Sequence, residues 1–373
     1  MKILNINSYY LSSTLYKHME DALIKNGIDI ETYAPVFKGY KVREEIDFII
    51  PSYTYISECY NKKDRFIFHY KHYKIYKDFS GFYDVTKYQI LHAHSLFSNG
   101  YIAYNVYKRY RIPYIVAVRS TDLYVFFKRM IHLRKLGVKI LLNAKFIIFL
   151  SISHRNECLE KYIPKKYRKE ILKKVVVIPN GIDDFWHKNK REEPHALCGE
   201  RIRIIFVGND SKRKNLSTLI DACEILIKKN FNIELLVVGK ISEQNKMRFG
   251  KKPYIKIKGM VDKNQLLKLY RQSDIFVLPS INETFGLVYP EAMSQGLPVI
   301  YTKGQGFDKQ FNEGEVGYSV NCFDPNDIAS KIIKVINNYS QLSKSCLRNL
   351  SKFEWGNIAK QYKQIYYTIY PRT

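Results

Sequence analysis

The sequence predicts an α/β protein of two domains, each a parallel sheet wrapped by helices. Three observations carry that reading. Short apolar runs alternate with helix-period segments through the first half of the chain, the order that builds parallel sheets. A polar, charged stretch at 184–200 interrupts the pattern as an interdomain linker would, and the alternation restarts at 202. Strands of the second half end on Gly208, Gly239 and Gly259, opening space at the strand carboxyl ends where open α/β sheets take ligands. With 373 residues and 46% hydrophobic content, the chain can bury two full-sized cores and is not of disordered composition.

The first half reads as strands over 3–7, 28–33, 89–95, 114–118, 145–150 and 174–178. Helices fall at 15–25, stopped by Gly27, and at 101–110. Segment 53–77 is rich in Tyr, Lys and His and shows no clear period. Pro179-Asn-Gly closes the half with a turn signal. The second half reads as strands over 202–207, 233–238, 254–258, 274–279 and 298–301, with helices over 215–229, 263–271, 287–296 and 325–338. A final helical pattern covers 355–367. The expected division is 1–190, 200–352 and a closing helix in 353–373.

The net charge is +26, and more than half of it lies in 101–174, where eighteen Lys or Arg face four acids. Such a surface attracts anionic lipid or nucleic acid. Abundant Lys, Asn, Ile and Tyr is also what AT-rich coding yields without selection for binding. No RNP, zinc-finger or KH pattern occurs, so a nucleic-acid partner is not expected. No apolar run reaches the ~18–20 residues that span a bilayer, and residues 1–7 read as a strand rather than a signal peptide. The six cysteines stand singly, which suits a reducing cytoplasm and argues against structural zinc. In 123–137 aromatics and basics recur at helical spacing. Phe126, Met130, Leu133 and Leu136 share one face, suited to the core or to an anionic bilayer.

The most informative segment is 279–299, Pro-Ser-Ile-Asn-Glu-Thr-Phe-Gly-Leu-Val-Tyr-Pro-Glu-Ala-Met-Ser-Gln-Gly-Leu-Pro-Val. Glu283 sits in the turn after a strand, and Glu291, with seven residues between them, lies in the early turns of a helix. Gly286 between them lets the backbone approach a ligand. The helix start offers unpaired N–H groups and roughly half a positive charge, a seat for phosphate. A diphosphate held there, with a carboxylate on either side to accept from hydroxyls, describes a nucleotide-sugar site.

This segment resembles the E-x7-E signature of the family 4 retaining glycosyltransferases. They have the GT-B fold, two Rossmann-like domains facing across a cleft with a C-terminal helix crossing back to the N-terminal domain. The resemblance covers most of the chain, most clearly 89–183 and 202–367. It implies that Glu283 accepts from hydroxyls of the transferred sugar and Glu291 from the ribose. Backbone N–H groups of Phe285, Gly286 and Leu287 would meet the diphosphate or the sugar, and the backbone at Met260 would meet the base. Lys214 matches the family lysine on the donor phosphates. Asn209 stands where the family has arginine, leaving Lys212 or Arg213 to supply a second charge.

In the first domain, His94 of His-Ala-His-Ser is either a ligand for an acceptor or a structural histidine. Residues 116–122 correspond to a family stretch that reads His-Gly-x-Asp; here Arg119 replaces the His and Asp122 is retained. Arginine there suits a phosphate or acidic sugar held bidentately. The first loop, Asn7-Ser-Tyr-Tyr-Leu-Ser-Ser, replaces a Gly-Gly pair, and Tyr9 and Tyr10 form either a sugar-stacking wall or plain packing. The implied catalytic set is Glu283, Lys214, Arg119 and Asp122. No Asp-x-Asp occurs, and Lys214 with a helix dipole can carry the charge a metal would, so neither metal nor cofactor is expected.

The implied activity is retaining transfer of a hexose or N-acetylhexosamine from a nucleotide-diphosphate sugar, UDP by default. The acceptor would be a hydroxyl on a lipid-linked glycan of a bacterial surface polysaccharide, at the inner face of the cell membrane. Two alternatives stand beside it: a nucleotide-sugar epimerase or hydrolase of the same fold, and a basic nucleic-acid-binding protein without catalysis.

Overall fold

The computed structural model describes residues 1–41, 49–197 and 199–371, so Cys198 lies outside the described residues. The chain forms two compact units. One comprises Met1–Leu150, His154–Gly181 and the chain from Trp355 onward; the other comprises Ser151–Ser153 and Ile182–Glu354.

The first unit holds strands β1 Lys2–Ile6, β2 Asp29–Phe37, β3 Thr54–Tyr60, β4 Ile90–Ala93, β5 Tyr114–Val118, β6 Phe146–Phe149 and β7 Val175–Val177. They make a parallel sheet in the order β3-β2-β1-β4-β5-β6-β7. β4 and β5 are buried at every residue, because helices cover both faces of a parallel sheet. Helix Trp355–Ile369 lies in this unit, with Trp355, Ile358, Tyr362 and Tyr366 packed against Met19 and Leu23 of helix Leu15–Lys25. The C-terminal helix therefore returns to the N-terminal unit, as the resemblance implies.

The second unit holds β8 Arg201–Val207, β9 Asn232–Val238, β10 Ile255–Lys258, β11 Ile275–Leu278, β12 Val299–Thr302 and β13 Gly317–Val320, all parallel, in the order β10-β9-β8-β11-β12-β13. In both sheets the strand order reverses once, between β1 and β4 and between β8 and β11. The carboxyl ends at such a reversal splay their loops apart and leave a crevice.

The structure departs from the sequence reading at segments 53–77, 184–200 and 123–137, among others. Segment 53–77 contains β3 and most of helix Phe68–Phe82, whose buried residues Phe68, His72, Ile75 and Phe79 keep a helical period. His72 hides that stripe: it is buried, its Nδ1 lies 2.7 Å from the Phe68 carbonyl, and burial depresses its pKa to about 3. The expected linker at 184–200 is instead packed structure. It begins with helix Asp184–Lys188, buries Trp186, and places His195 Nε2 2.9 Å from Asp274. The run 123–137 is not one amphipathic helix. It is a wide-turn helix Asp122–Phe127, a short turn Ile131–Leu133 and the start of helix Arg134–Asn143. Leu133 is buried, and Phe126, Met130 and Leu136 pack on the core, so this face is not free for a bilayer.

Candidate functional site

The second-unit site is built by the two loops at the β8/β11 reversal. The loop after β8 carries Lys214 and ends at Asn215, which adopts φ 60° at the start of helix Leu216–Lys228. Asn215 Nδ2 donates to the carbonyls of Pro279 (3.1 Å) and Cys322 (2.6 Å), tying this loop to the loop after β11. That tie brings Lys214 Nζ to 2.6 Å from Glu283 Oε2 across 69 residues of sequence. Both side chains are largely buried, at 13% and 9% exposed. Arg213 Nη1 stands 3.8 Å from Glu283 Oε1 and donates to the Asn282 carbonyl, whereas Lys212 is exposed. Of the two candidates for a second cation, Arg213 is therefore the one at the site. Asn209 Oδ1 accepts from the Ser211 hydroxyl and N–H, a closed local turn.

Glu283 is positioned from several sides. Its N–H donates to Gln305 Oε1 (2.9 Å), its carbonyl accepts from Gly306 N–H (3.0 Å), and Ser280 Oγ lies 3.3 Å from its Oε2. Gly286 has φ +81°, and a Cβ there would meet the Tyr289 ring at 2.4 Å. Tyr289 is buried and its hydroxyl donates to the Leu278 carbonyl at 2.6 Å, so the ring cannot easily yield. Among the described residues, no backbone carbonyl or side chain accepts from the N–H of Phe285, Gly286 or Leu287. The regular helix that follows, Val288–Met293, is shorter than the sequence suggests, and Gly296 ends its last turn at φ +76°.

Glu291 lies on this short helix, half-buried. Burial pushes its carboxyl up to about 7, with Lys263 pulling it down and Asp183 up. Lys263 is ion-paired with Asp183. Neither residue carries a sequence signal, since the fold alone brings them near Glu291. Tyr270, fully buried, also feels the Glu291 charge, and its hydroxyl has no partner among the described residues. The carbonyls of Lys258 and Gly259 accept from Gly239 N–H, while the Met260 side chain is 65% exposed.

The first unit gathers a second cluster at its own β1/β4 reversal. Asp122 is fully buried and accepts from the N–H groups of Arg119 (2.8 Å), Leu96 (3.0 Å) and Phe97 (3.1 Å). Burial raises its carboxyl to about 6 against those three donors. Arg119 Nε donates to the His94 carbonyl at 3.1 Å, and its guanidinium lies over the Tyr16 ring. His94 is buried against His92 with ring centroids 4.0 Å apart, and burial holds it well below the usual histidine range. Neither His94 nitrogen has a partner among the described residues, and the same is true of Asn7 Nδ2 and Asn99 Nδ2. Buried polar atoms without partners are rare in native interiors and often mark where a water or ligand atom belongs. In the sequence nothing singles out Asn99 beyond its position after the β4 loop. Tyr10 is buried and packs with Leu11 and Tyr16, which favours the packing alternative for that residue. Among the described residues no group of three or more His, Cys, Asp or Glu could hold a metal ion, and no helix is long and apolar enough to cross a membrane.

Two parallel-sheet units, each with loops converging at a strand-order reversal, have the architecture of the GT-B fold. Residues 13–184 match the model of Glycosyltransferase Family 4 and residues 187–352 that of Glycosyl transferases group 1. The chain belongs to glycosyltransferase family 4. An uncharacterized glycosyltransferase of Methanocaldococcus jannaschii is 26% identical over 98% of both chains. A capsular polysaccharide biosynthesis glycosyltransferase of Staphylococcus aureus is 32% identical over 41% of each. The Anabaena protein HepE in complex with UDP superposes with a TM-score of 0.69 at 14% identity, covering 98% of this chain and 99% of its own.

Proposed function

We propose that this glycosyltransferase moves a hexose or N-acetylhexosamine from a UDP sugar to a hydroxyl of a lipid-linked glycan, with retention and without a metal ion. The observation that carries the donor site is the Lys214–Glu283 contact beside the free N–H groups of Phe285, Gly286 and Leu287. UDP as the carrier is favoured by the HepE complex, and a surface-polysaccharide acceptor by the capsular relative.

In this reading the N–H groups and Lys214 hold the diphosphate, with Arg213 at the rim. The bond between the anomeric carbon and the β-phosphate oxygen breaks, and negative charge grows on UDP. Lys214 stabilises that charge where it develops. The acceptor oxygen bonds to the same face of the sugar, and its proton passes to the departing phosphate, so no protein base is needed. Glu283 accepts from the sugar hydroxyls and Glu291 from the ribose. In the first unit Arg119 and His94 contact the acceptor, and Asp122 positions the Arg119 loop through its three N–H bonds.

Thermal unfolding against UDP, GDP and ADP sugars tests the donor reading, because a ligand of the folded state raises the melting point. A rise with UDP sugars is expected, and its loss in Glu291→Ala while the unliganded variant keeps its fold. A full shift in that variant would sink the site assignment.

Glu291 also sets a pH dependence. Its folded pKa of about 7 exceeds the ordinary carboxylate value, so the protonated form is favoured by folding. The associated stability is present in acid and is lost as pH rises through about 7. Ribose hydroxyls donate best to the ionised form, so UDP affinity should rise over that same window. Calorimetric titration from about pH 6 to about pH 8 should show tighter UDP binding at the upper end in the wild type. The dependence should flatten in Glu291→Gln.

A further inference from the structure

We propose that a groove on the first unit binds anionic phospholipid and seats the protein on a membrane surface. The groove lies between helix Arg134–Asn143, the turn after helix Ile152–Lys161 and helix Lys165–Leu172, with a volume of about 600 Å³. Its floor is apolar: Val138 and Ile163 are buried, and Leu142 and Tyr167 are half-buried and packed on the core. Its charged lining is entirely cationic, made of Arg134, Lys135, Lys139, Lys161 and Lys166. Lys161 is paired with Glu157, but Lys135, Lys139 and Lys166 have no carboxylate partner among the described residues.

A larger groove in the second unit, about 1030 Å³, makes the contrast. Its four lysines are matched by four carboxylates, so it has no preference for an anion. An uncompensated cationic rim over an apolar floor fits a ligand that is anionic at one end and hydrocarbon at the other. Leu172, 48% exposed, ends helix Lys165–Leu172, which walls the groove, and Ile131, 63% exposed, lies in the short turn that leads into helix Arg134–Asn143. The sequence points instead to the face formed by Phe126, Met130, Leu133 and Leu136, which the core occupies. The groove lies beyond that face, in the same basic stretch. An oligonucleotide would use the rim but leave the apolar floor unfilled, which favours lipid.

Flotation with vesicles tests this without any glycosyl transfer. Binding is expected to phosphatidylglycerol–phosphatidylcholine vesicles and not to phosphatidylcholine alone, weakening with salt. Lys135→Gln/Lys139→Gln/Lys166→Gln should reduce the partition roughly 100-fold, from the usual contribution of a lysine near an anionic surface. Lys228→Gln/Lys229→Gln/Lys251→Gln, exposed positions of the second unit, changes net charge equally and should have little effect. An unchanged UDP thermal shift in both triples separates this result from the donor reading. Equal loss in both triples, or equal binding to uncharged vesicles, overturns the proposal. So does an oligonucleotide that displaces the vesicles and loses its own affinity in the groove triple.

Discussion

Lys214→Ala should lower kcat by about 10²–10³, the loss seen when one donor to a developing oxyanion is removed (~3–4 kcal/mol). UDP-sugar affinity should weaken less, because the cation matters most as charge leaves the sugar. The substitution also strands Glu283. Its carboxylate is 9% exposed, and the remaining cation, Arg213, is 3.8 Å away and half in solvent. Removing one partner of a buried pair costs about 3–5 kcal/mol. Urea unfolding should therefore show Lys214→Ala as the less stable variant and Lys214→Ala/Glu283→Ala as partly recovered. That recovery is the sign of a real coupling rather than two independent losses. Recovered stability with turnover still lowered would separate the structural role of the pair from its chemical one. Unchanged kcat in Lys214→Ala would remove the lysine from the mechanism.

Gly286→Ala is expected to distort the loop after β11. At φ +81° an L-residue pays about 1–2 kcal/mol in backbone strain alone. The added Cβ also falls 2.4 Å from a Tyr289 ring atom, and that ring is held by its hydroxyl bond to Leu278. The loop must shift, and with it the N–H groups of Phe285, Gly286 and Leu287. A melting point lower by roughly 4–8 °C follows from ~2 kcal/mol in a domain of this size. Calorimetry should find UDP-sugar affinity reduced by more than about tenfold, since the N–H groups proposed to hold the diphosphate are displaced together. Wild-type affinity in this variant would mean that the diphosphate is not bound by this loop.

The sheets were readable because both of their faces are covered. β11 and β12 are buried at every residue, so their apolar runs are continuous and bounded by glycine or proline. β13 was missed because Gly317–Val320 buries only its two end residues and leaves no run to see. Helix Tyr339–Arg348 was also missed: its buried face includes Ser343, Ser345 and Cys346, which do not read as a hydrophobic stripe. The donor loop shows the same division. Lys214, Glu283, Gly286 and Glu291 are visible because strand, glycine and helix signals fix their local positions. Asn215, Gln305, Lys263 and Asp183 act through contacts with residues distant in sequence. Nothing local marks them. The unpartnered Asn7, His94 and Asn99 likewise become a cluster only when β1 and β4 lie side by side.

In the proposed donor complex the diphosphate sits between Lys214 and the Phe285–Leu287 amides. A crystal structure of the wild-type chain with UDP tests it most directly. β-Phosphate density is expected within hydrogen-bond distance of Lys214 Nζ and of at least one of those N–H groups, with the ribose hydroxyls on Glu291. Ordered UDP elsewhere on the chain, with Lys214 still paired to Glu283 and the amides facing only water, would contradict it.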